Sequence, residues 1–183
     1  MDNNIVQTVF DTLEARTDEI SKDVAERDKL EEKIKSGRYS PQALKDDIYP
    51  KRDALRRKVQ DDSAAAIDAA KKLVAQYRAD AAELDTLDPA DITDDIKLLQ
   101  SGITLLPRDI QAILKRNASN RTMTQIVLRY AKEHNIDTGG TCYIGGQREK
   151  ENADSLDGII GYYAKWIDKP NGKEMLRKFF NVG

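Results

Sequence analysis

The sequence has few of the residues that most often carry chemistry. Its 183 residues include one histidine, His134, and one cysteine, Cys142. A lone cysteine excludes an intrachain disulfide, and a reducing compartment is the simplest setting for it. A second histidine, a nucleophile elbow and a glycine-rich nucleotide motif are all missing. The sequence therefore predicts a protein that is not an enzyme and that binds no cofactor and no metal.

Long apolar runs are also missing. No window approaches the roughly 18 consecutive apolar residues that a membrane-spanning helix needs. The first residues, MDNNIVQTVFDTLEARTDE, are acidic and contain neither the basic nor the apolar region of a signal peptide. We therefore expect a cytoplasmic protein that is not secreted by a signal peptide and that has no membrane partner.

Charge replaces much of the apolar material. Hydrophobic residues make up 39% of the chain and charged residues 34%, against about 45–50% and about 25% in an average globular domain. So few apolar residues cannot form one thick core for the whole chain. The composition favours an all-α protein with long, mostly solvated helices that bury narrow stripes.

The first predicted helix runs from Asn3 or Asn4 to about Ser36. A seven-residue spacing, typical of helices that pack side by side, relates Val6, Leu13, Ile20, Arg27 and Ile34. The helix is followed by SGRYSP, in which Gly37 suits a left-handed residue and Ser40 with Pro41 predicts a new helix start. Two helices joined by so short a turn should form an antiparallel, coiled-coil-like hairpin.

The second predicted helix runs from Pro41 to about Leu87, with a kink near Pro50, because proline lacks the amide donor of a helix. Its apolar stripe is rich in alanine, which lets a partner helix approach closely. We expect this stripe to remain partly exposed in a single chain and to mediate self-association. The candidate protein-interface residues are Leu55, Val59, Ala66, Leu73, Tyr77 and Leu84.

A change of pattern at DTLDPADITDD, residues 85–95, predicts a domain boundary. We expect a long hairpin over 1–88 and a small bundle of shorter helices over 89–183. The shorter helices are predicted at about 94–101, 107–117 and 121–134, along a face from Ala153 to Ile167, and at KEMLRKFF. A glycine-rich loop, TGGTCYIGG at 138–146, is expected to hold at most one β-type segment.

The stretch PRDIQAILKRNASNRTMT, residues 107–124, admits two interpretations. From Pro107 to Lys132 there are six basic residues and one acid, so Arg116, Arg121 and Arg129 could contact nucleic acid or an acidic partner. However, the turn lacks the tight, often glycine-containing geometry of a helix-turn-helix. We favour a packed helical hairpin with a basic outer face.

Four other features could carry chemistry, and each has a structural interpretation that we prefer. The aspartates of 85–95 suit helix starts better than a calcium loop. The glycine pairs of 138–146 lack the Lys-Ser/Thr of a phosphate loop. A His134–Cys142 nucleophile pair has no orienting third group. The aromatic residues near the C-terminus, Trp166, Tyr162, Tyr163, Phe179 and Phe180, are more typical of core than of a ligand cage.

The order of segments resembles a group of proteins encoded among the virion-structure and assembly genes of tailed phages and prophages in Gram-positive bacteria. The resemblance rests on the hairpin turned by SGRYSP, the central DDIKLLQSGITLLPRDIQAILKRNASNRTMTQIVLRYAKEHNI, GGTCYIGG and YYAKWIDKP. It implies a scaffold, head, tail-assembly or accessory virion role in the host cell or the assembled particle. The implied partner is a second copy of the chain or another virion or assembly protein.

Overall fold

A computed structural model describes residues 3–139 and 145–181. Every regular element in these two ranges is helical, which confirms the predicted all-α class. The α-helices are α1 (Asn3–Lys35), α2 (Pro41–Ala43), α3 (Tyr49–Glu83), α4 (Ile96–Gln100), α5 (Pro107–Arg116), α6 (Arg121–Glu133), α7 (Gln147–Tyr163) and α8 (Gly172–Phe180). A π-helical segment covers Leu44–Ile48 and a 3₁₀ turn covers Pro89–Asp91.

Two long helices dominate the first half of the chain. Helix α1 has 33 residues and α3 has 35. The turn after α1 has the predicted chemistry: Gly37 has φ +66°, and the hydroxyl of Ser40 accepts a hydrogen bond from the Ala43 amide at 3.2 Å. Pro41 occupies the first helical position, where its missing amide hydrogen costs nothing.

The predicted interruption near Pro50 takes the form of a π-helical segment. Over Leu44–Ile48 the hydrogen bonds widen to a five-residue step, so that the Tyr49 amide donates to the carbonyl of Leu44. This segment ends at Ile48, two residues before Pro50, the residue that cannot donate. The helix thus accommodates proline by a change in hydrogen-bond register.

The second long helix is shorter than its sequence pattern indicates. The prediction extends it to about Leu87, whereas α3 ends at Glu83. Three-residue hydrogen bonds follow, from Asp85 to Ala82 and from Thr86 to Glu83. The Arg121 side chain of α6 donates to the carbonyl of Glu83, the last residue of α3, and to that of Leu84, which follows it, so these carbonyl groups are paired without a further helical turn.

The chain divides into two compact units. The first unit comprises Met1–Tyr77 and Asn152–Gly183, and the second comprises Arg78–Glu151. The sequence pattern instead predicts one boundary near residue 88 and groups 152–183 with the second half. The periodicity of a helix shows which face is apolar, but it does not show which distant helix covers that face.

The core of the first unit is built from α1, α3, α7 and α8. Phe10 packs against Phe180 with ring centroids 5.7 Å apart. The Arg177 guanidinium lies 3.0 Å from the Glu14 carboxylate, and Lys173 lies 2.7 Å from Asp18. The buried residues are Val9, Phe10, Leu13, Ile20, Val24, Val59, Ala66, Ala70, Val74, Ala153, Leu156, Ile160, Tyr163, Ile167, Leu176 and Phe180.

The second unit has a smaller apolar core. It gathers residues from α4, α5, α6 and the segment between α4 and α5, namely Leu99, Leu105, Ile110, Ile113, Met123, Val127 and Ala131. Five of the seven, Ile110, Ile113, Met123, Val127 and Ala131, lie between Pro107 and Lys132, the stretch interpreted from the sequence as a packed helical hairpin. The packing of α5 on α6 therefore follows directly from helical periodicity.

Helix α7 ends at Tyr163, before the predicted Ile167, although Ile167 is still buried through the turns that follow. The predicted β-type segment falls mainly on residues 140–144, outside the described residues. None of the helices in the described ranges is both long and apolar enough to cross a membrane.

Candidate functional site

The predicted interface stripe on α3 divides into a buried part and a partly exposed part. Val59 and Ala66 are only 2% and 1% exposed and lie inside the core of the first unit. Leu73 and Tyr77 pack against the edge of that core and remain partly accessible, as does Leu55. A single chain therefore covers the centre of the stripe and leaves its outer edge available.

Two buried positions of α3 are missing from the apolar stripe that the sequence indicates, which consists of Leu55, Val59, Ala66, Ala70, Leu73, Tyr77, Ala81, Leu84 and Leu87. Val74 is fully buried and Ser63 is 9% exposed. A period of 3.6 residues places Val74 one turn after Ala70 on the same face, whereas a strict seven-residue repeat passes through Leu73 instead. The Ser63 hydroxyl has no hydrogen-bond partner among the described residues.

Arg116 is engaged within the second unit. Its guanidinium lies 2.7 Å from the Asp95 carboxylate, which also accepts a hydrogen bond from the Asn117 side chain at 2.7 Å. The bond from Arg116, assisted by that from Asn117, holds the pKa of Asp95 below its ordinary value although burial opposes the shift. This arginine ties α5 to the start of α4.

Arg121 is also engaged. Its guanidinium donates to the backbone carbonyls of Glu83 at 2.9 Å and Leu84 at 3.2 Å. The side chain of Gln125 donates to the same Leu84 carbonyl. These donors satisfy carbonyl groups that the end of a helix leaves unpaired, and the positive charge suits the negative end of the helix dipole. Leu84, a predicted interface residue, thus lies at a helix end.

Arg129 has a different environment from the other two arginines. It lines a cleft of about 660 Å³ in the second unit, which we call the polar cleft. Among the described residues, no carboxylate lies within ion-pair distance of Arg129, although the charge of Arg129 helps through space to lower the pKa of Asp85. The residues that line the polar cleft are Asp85, Arg129, Lys132, Glu133, Gln147 and Lys150.

Asp85 organises one wall of the polar cleft. Its carboxylate forms an ion pair with Lys150 and accepts a hydrogen bond from the Gly146 amide at 3.3 Å. The bond from Lys150, with that from Gly146, lowers the pKa of Asp85 against the effect of burial. The carboxylate is therefore ionised at neutral pH and already paired.

The glycine pair before α7 allows this wall to form. A Cβ atom on Gly146 would lie 1.9 Å from the Ala81 carbonyl oxygen, and one on Gly145 would lie 1.8 Å from the Asp85 carboxylate. Gly145 also has φ +59°, a conformation that side chains disfavour. These two glycines form a tight turn against the end of α3.

The segment between α5 and α6 is a helix start. The Asn120 side chain accepts a hydrogen bond from the Met123 amide at 2.9 Å and donates to the Asp91 carbonyl at 2.6 Å. Asn120 therefore caps α6 and fixes it to the turn that follows α3. The polar stretch that suggests a DNA-binding turn has a structural role here.

Asp88 and the single histidine, His134, make contacts with residues close by in the sequence. Asp88 accepts from the Ala90 amide at 2.9 Å as the cap of the 3₁₀ turn. The His134 ring stacks on Tyr130 with centroids 4.0 Å apart, while Cys142 lies outside the described residues. No three His, Cys, Asp or Glu side chains within 3–139 and 145–181 are grouped to hold a metal ion.

The C-terminal aromatic residues mostly belong to the core. Tyr163 and Phe180 are buried in the core of the first unit, and Trp166 and Phe179 pack against that core. Tyr162 is 63% exposed, with the Lys165 ammonium 5.1 Å from its ring centroid.

The chain was compared with models of known protein families, with curated proteins and with solved structures. It matches none of them.

Proposed function

We propose that this chain is a non-catalytic structural or assembly protein that acts through helix-mediated protein–protein contacts. The observation that carries the proposal is the partly exposed edge of the α3 stripe, at Leu55, Leu73 and Tyr77. Helices this long with a half-covered apolar edge commonly complete their burial against another helix. The occupant we propose is a second copy of the chain or another assembly protein, and the order of segments along the chain favours a phage- or prophage-derived role.

The proposal includes an antiparallel, coiled-coil-like arrangement of α1 and α3. The ion pairs between these helices support it, because they run in opposite order along the two sequences. Asp23 pairs with Lys58 at 2.7 Å, whereas Glu31, later in α1, lies 3.8 Å from Arg52, earlier in α3.

Nucleic-acid binding is the alternative, and it is the weaker one. It depends on Arg116, Arg121 and Arg129 sharing one accessible surface. Two of these guanidinium groups are occupied by Asp95 and by the carbonyls that end α3. Only Arg129 remains to meet a phosphate, whereas non-specific duplex binding requires several such contacts.

The test is the absolute mass in solution, measured by size-exclusion chromatography with light scattering over a range of protein concentrations. We expect a dimer or larger assembly for the wild type. Ala69→Arg, one turn before Leu73 and on the same face, places a long cation at the partly exposed edge. It should weaken association by about tenfold or more, because charge is depleted at interface cores.

Ala75→Arg is the matched control. Ala75 is exposed, lies two residues after Leu73 and therefore occupies the opposite face of the same helix. This variant should associate like the wild type, and circular dichroism should show unchanged helix content for both. A wild-type chain that stays monomeric at all concentrations, or equal effects of the two variants, would contradict self-association through this edge.

A further inference from the structure

The polar cleft has an excess of positive charge that the fold does not use. Three of its lining residues are cations, Arg129, Lys132 and Lys150. Lys150 forms an ion pair with Asp85, whose carboxylate also accepts a hydrogen bond from the Gly146 amide. Arg129 and Lys132 therefore face a single remaining acid, Glu133, and no ion pair to either cation forms among the described residues.

The positions of the two cations suit one ligand group. Arg129 and Lys132 stand three residues apart on α6, so their side chains project from neighbouring points on the same helix face. A guanidinium presents a planar fork of donors to an oxyanion, and an ammonium adds a compact charge beside it. Together they can contact several oxygens of one phosphate or of two linked phosphates.

The opposite wall contributes further donors. Helix α7 begins at Gln147, and its first intrahelical bond runs from the Lys150 amide to the Gly146 carbonyl at 2.9 Å. The amides of residues 147–149 precede that bond and therefore have no partner within the helix. With the positive end of a 17-residue helix beside Lys150, this wall also favours an anion.

The wall is fixed by the packing rather than by exposed side chains alone. Gly146 is buried against the Ala81 carbonyl, and its amide is held by Asp85. The start of α7 therefore cannot move away from α3 without breaking these contacts. A cleft of about 660 Å³ lies within the range of about 300–1,000 Å³ that is usual for small-molecule sites.

We propose that the polar cleft binds a phosphate-bearing small molecule, with Arg129 and Lys132 as the ligand-binding residues and Lys150 and the start of α7 as the second wall. Asp85 acts as a positioning residue that holds Lys150. Glu133 borders the site, repels the anion and accepts a hydrogen bond from any hydroxyl or amino group that the ligand carries.

The test is isothermal titration of the full chain with sodium pyrophosphate. The double variant Arg129→Gln and Lys132→Gln should weaken binding by at least about tenfold, since hydrogen bonds to charged groups are the stronger ones. Its matched control is Arg108→Gln with Lys115→Gln, which removes two exposed positive charges of the same unit outside the cleft. The control should bind within about twofold of the wild type.

A gain-of-binding variant separates a lost site from a lost fold. Glu133→Gln removes the acid that borders the site, so it should tighten pyrophosphate binding by about threefold or more, a change that a misfolded chain cannot produce. Undetectable binding by the wild type overturns the proposal. Equal losses of pyrophosphate affinity in the cleft variant and the control variant also overturn it. Tighter binding of a hexaglutamate peptide than of pyrophosphate overturns it as well and would indicate an acidic protein segment as the occupant.

Discussion

At the scale of single residues, a buried pair of hydroxyl groups joins α1 to α7. The Thr17 hydroxyl donates to the Leu13 carbonyl at 2.6 Å and lies 2.6 Å from the Tyr163 hydroxyl. Because the threonine proton is already used, the tyrosine is the donor in the second bond. Burial raises the pKa of Tyr163 to about 12, although the bond to Thr17 lowers it, so the phenol keeps this proton at neutral pH.

Two substitutions distinguish the roles of this pair. Thr17→Val should cost about 1–3 kcal/mol of unfolding free energy, because the Tyr163 hydroxyl then stays buried without a partner. Tyr163→Phe should cost less, about 0.5–1.5 kcal/mol, since Thr17 keeps its bond to Leu13. Urea unfolding followed by the fluorescence of Trp166, which packs on the same core, measures both.

The control is Thr8→Val, which removes an exposed hydroxyl from the same helix that bonds to Asn4 at 2.9 Å. It should change the unfolding free energy by about 0.5 kcal/mol or less. A larger cost for Tyr163→Phe than for Thr17→Val would show that the tyrosine has another partner.

Asp95 makes stability depend on pH. The pKa of Asp95 in the folded chain lies below its ordinary value of 3.8. The contribution of Asp95 to the free energy of unfolding is therefore fully present when the pH is above this ordinary value. It is lost as the pH falls through the lower, folded-state pKa. Asp95→Asn should therefore cost about 1 kcal/mol at neutral pH and should flatten the loss of unfolding free energy between about pH 5 and about pH 2.

Asp94→Asn is the comparison, because Asp94 is the adjacent residue and its side chain is 92% exposed beside Lys97. Its acid unfolding curve should overlay that of the wild type. Identical flattening by both variants would assign the pH dependence to general charge rather than to the bond with Arg116.

At the scale of elements, several contacts that hold the second unit together meet at the end of α3. The last carbonyl group of α3 accepts a hydrogen bond from an α6 side chain. Asp85, which follows α3, forms an ion pair with Lys150 in the first turn of α7. The turn at Gly145 and Gly146 packs against the backbone of Ala81. Helix ends need partners for their unpaired backbone groups. Here the partners of the carbonyl groups at the end of α3 are side chains of α6, 37 to 41 residues later in the sequence. Lys150 of α7, 65 residues after Asp85, binds the Asp85 carboxylate, so the contacts at the end of α3 also place α6 and the start of α7.

Gly146→Ala tests this arrangement. Its Cβ would collide with the Ala81 backbone carbonyl, which cannot rotate away, so we expect a loss of about 2 kcal/mol or more of unfolding free energy. Faster amide hydrogen exchange should appear within residues 78–151. Gly158→Ala in the middle of α7 meets nothing within 4 Å and should stabilise the chain by about 0.5–1 kcal/mol. Equal effects of the two substitutions would exclude a steric cause.

At the scale of the whole molecule, the chain distributes its apolar residues over two small cores. Burial of this kind yields modest stability for each unit. If the partly exposed edge of α3 is covered by a second copy, association adds to the stability of the folded state by mass action. The free energy of unfolding then depends on the protein concentration as well as on the sequence.

The midpoint of thermal unfolding should therefore rise by about 5 °C or more over about a hundredfold increase in protein concentration. Ala69→Arg should abolish this dependence, whereas Ala75→Arg should retain it. Differential scanning calorimetry at matched scan rates provides the measurement. A midpoint that is independent of concentration in the wild type would show that folding and association are not coupled.

The sequence by itself determined the helical elements and their start signals. Gly37, Ser40 and Pro41 define the turn after α1, Pro50 predicts the irregular hydrogen bonds before it, and the pattern around Asn120 separates α5 from α6. Each of these is a local effect of backbone geometry, capping or 3.6-residue periodicity. Local effects can be read from neighbouring residues.

Only the tertiary structure decided which elements share a core and which polar side chains share a site. It grouped 152–183 with 1–77, ended α3 at Glu83 and assigned three similar arginines to three different partners: a carboxylate, a helix end and a cleft. These outcomes depend on contacts between residues far apart in sequence, and the periodicity of one helix carries no information about the surface that will cover it.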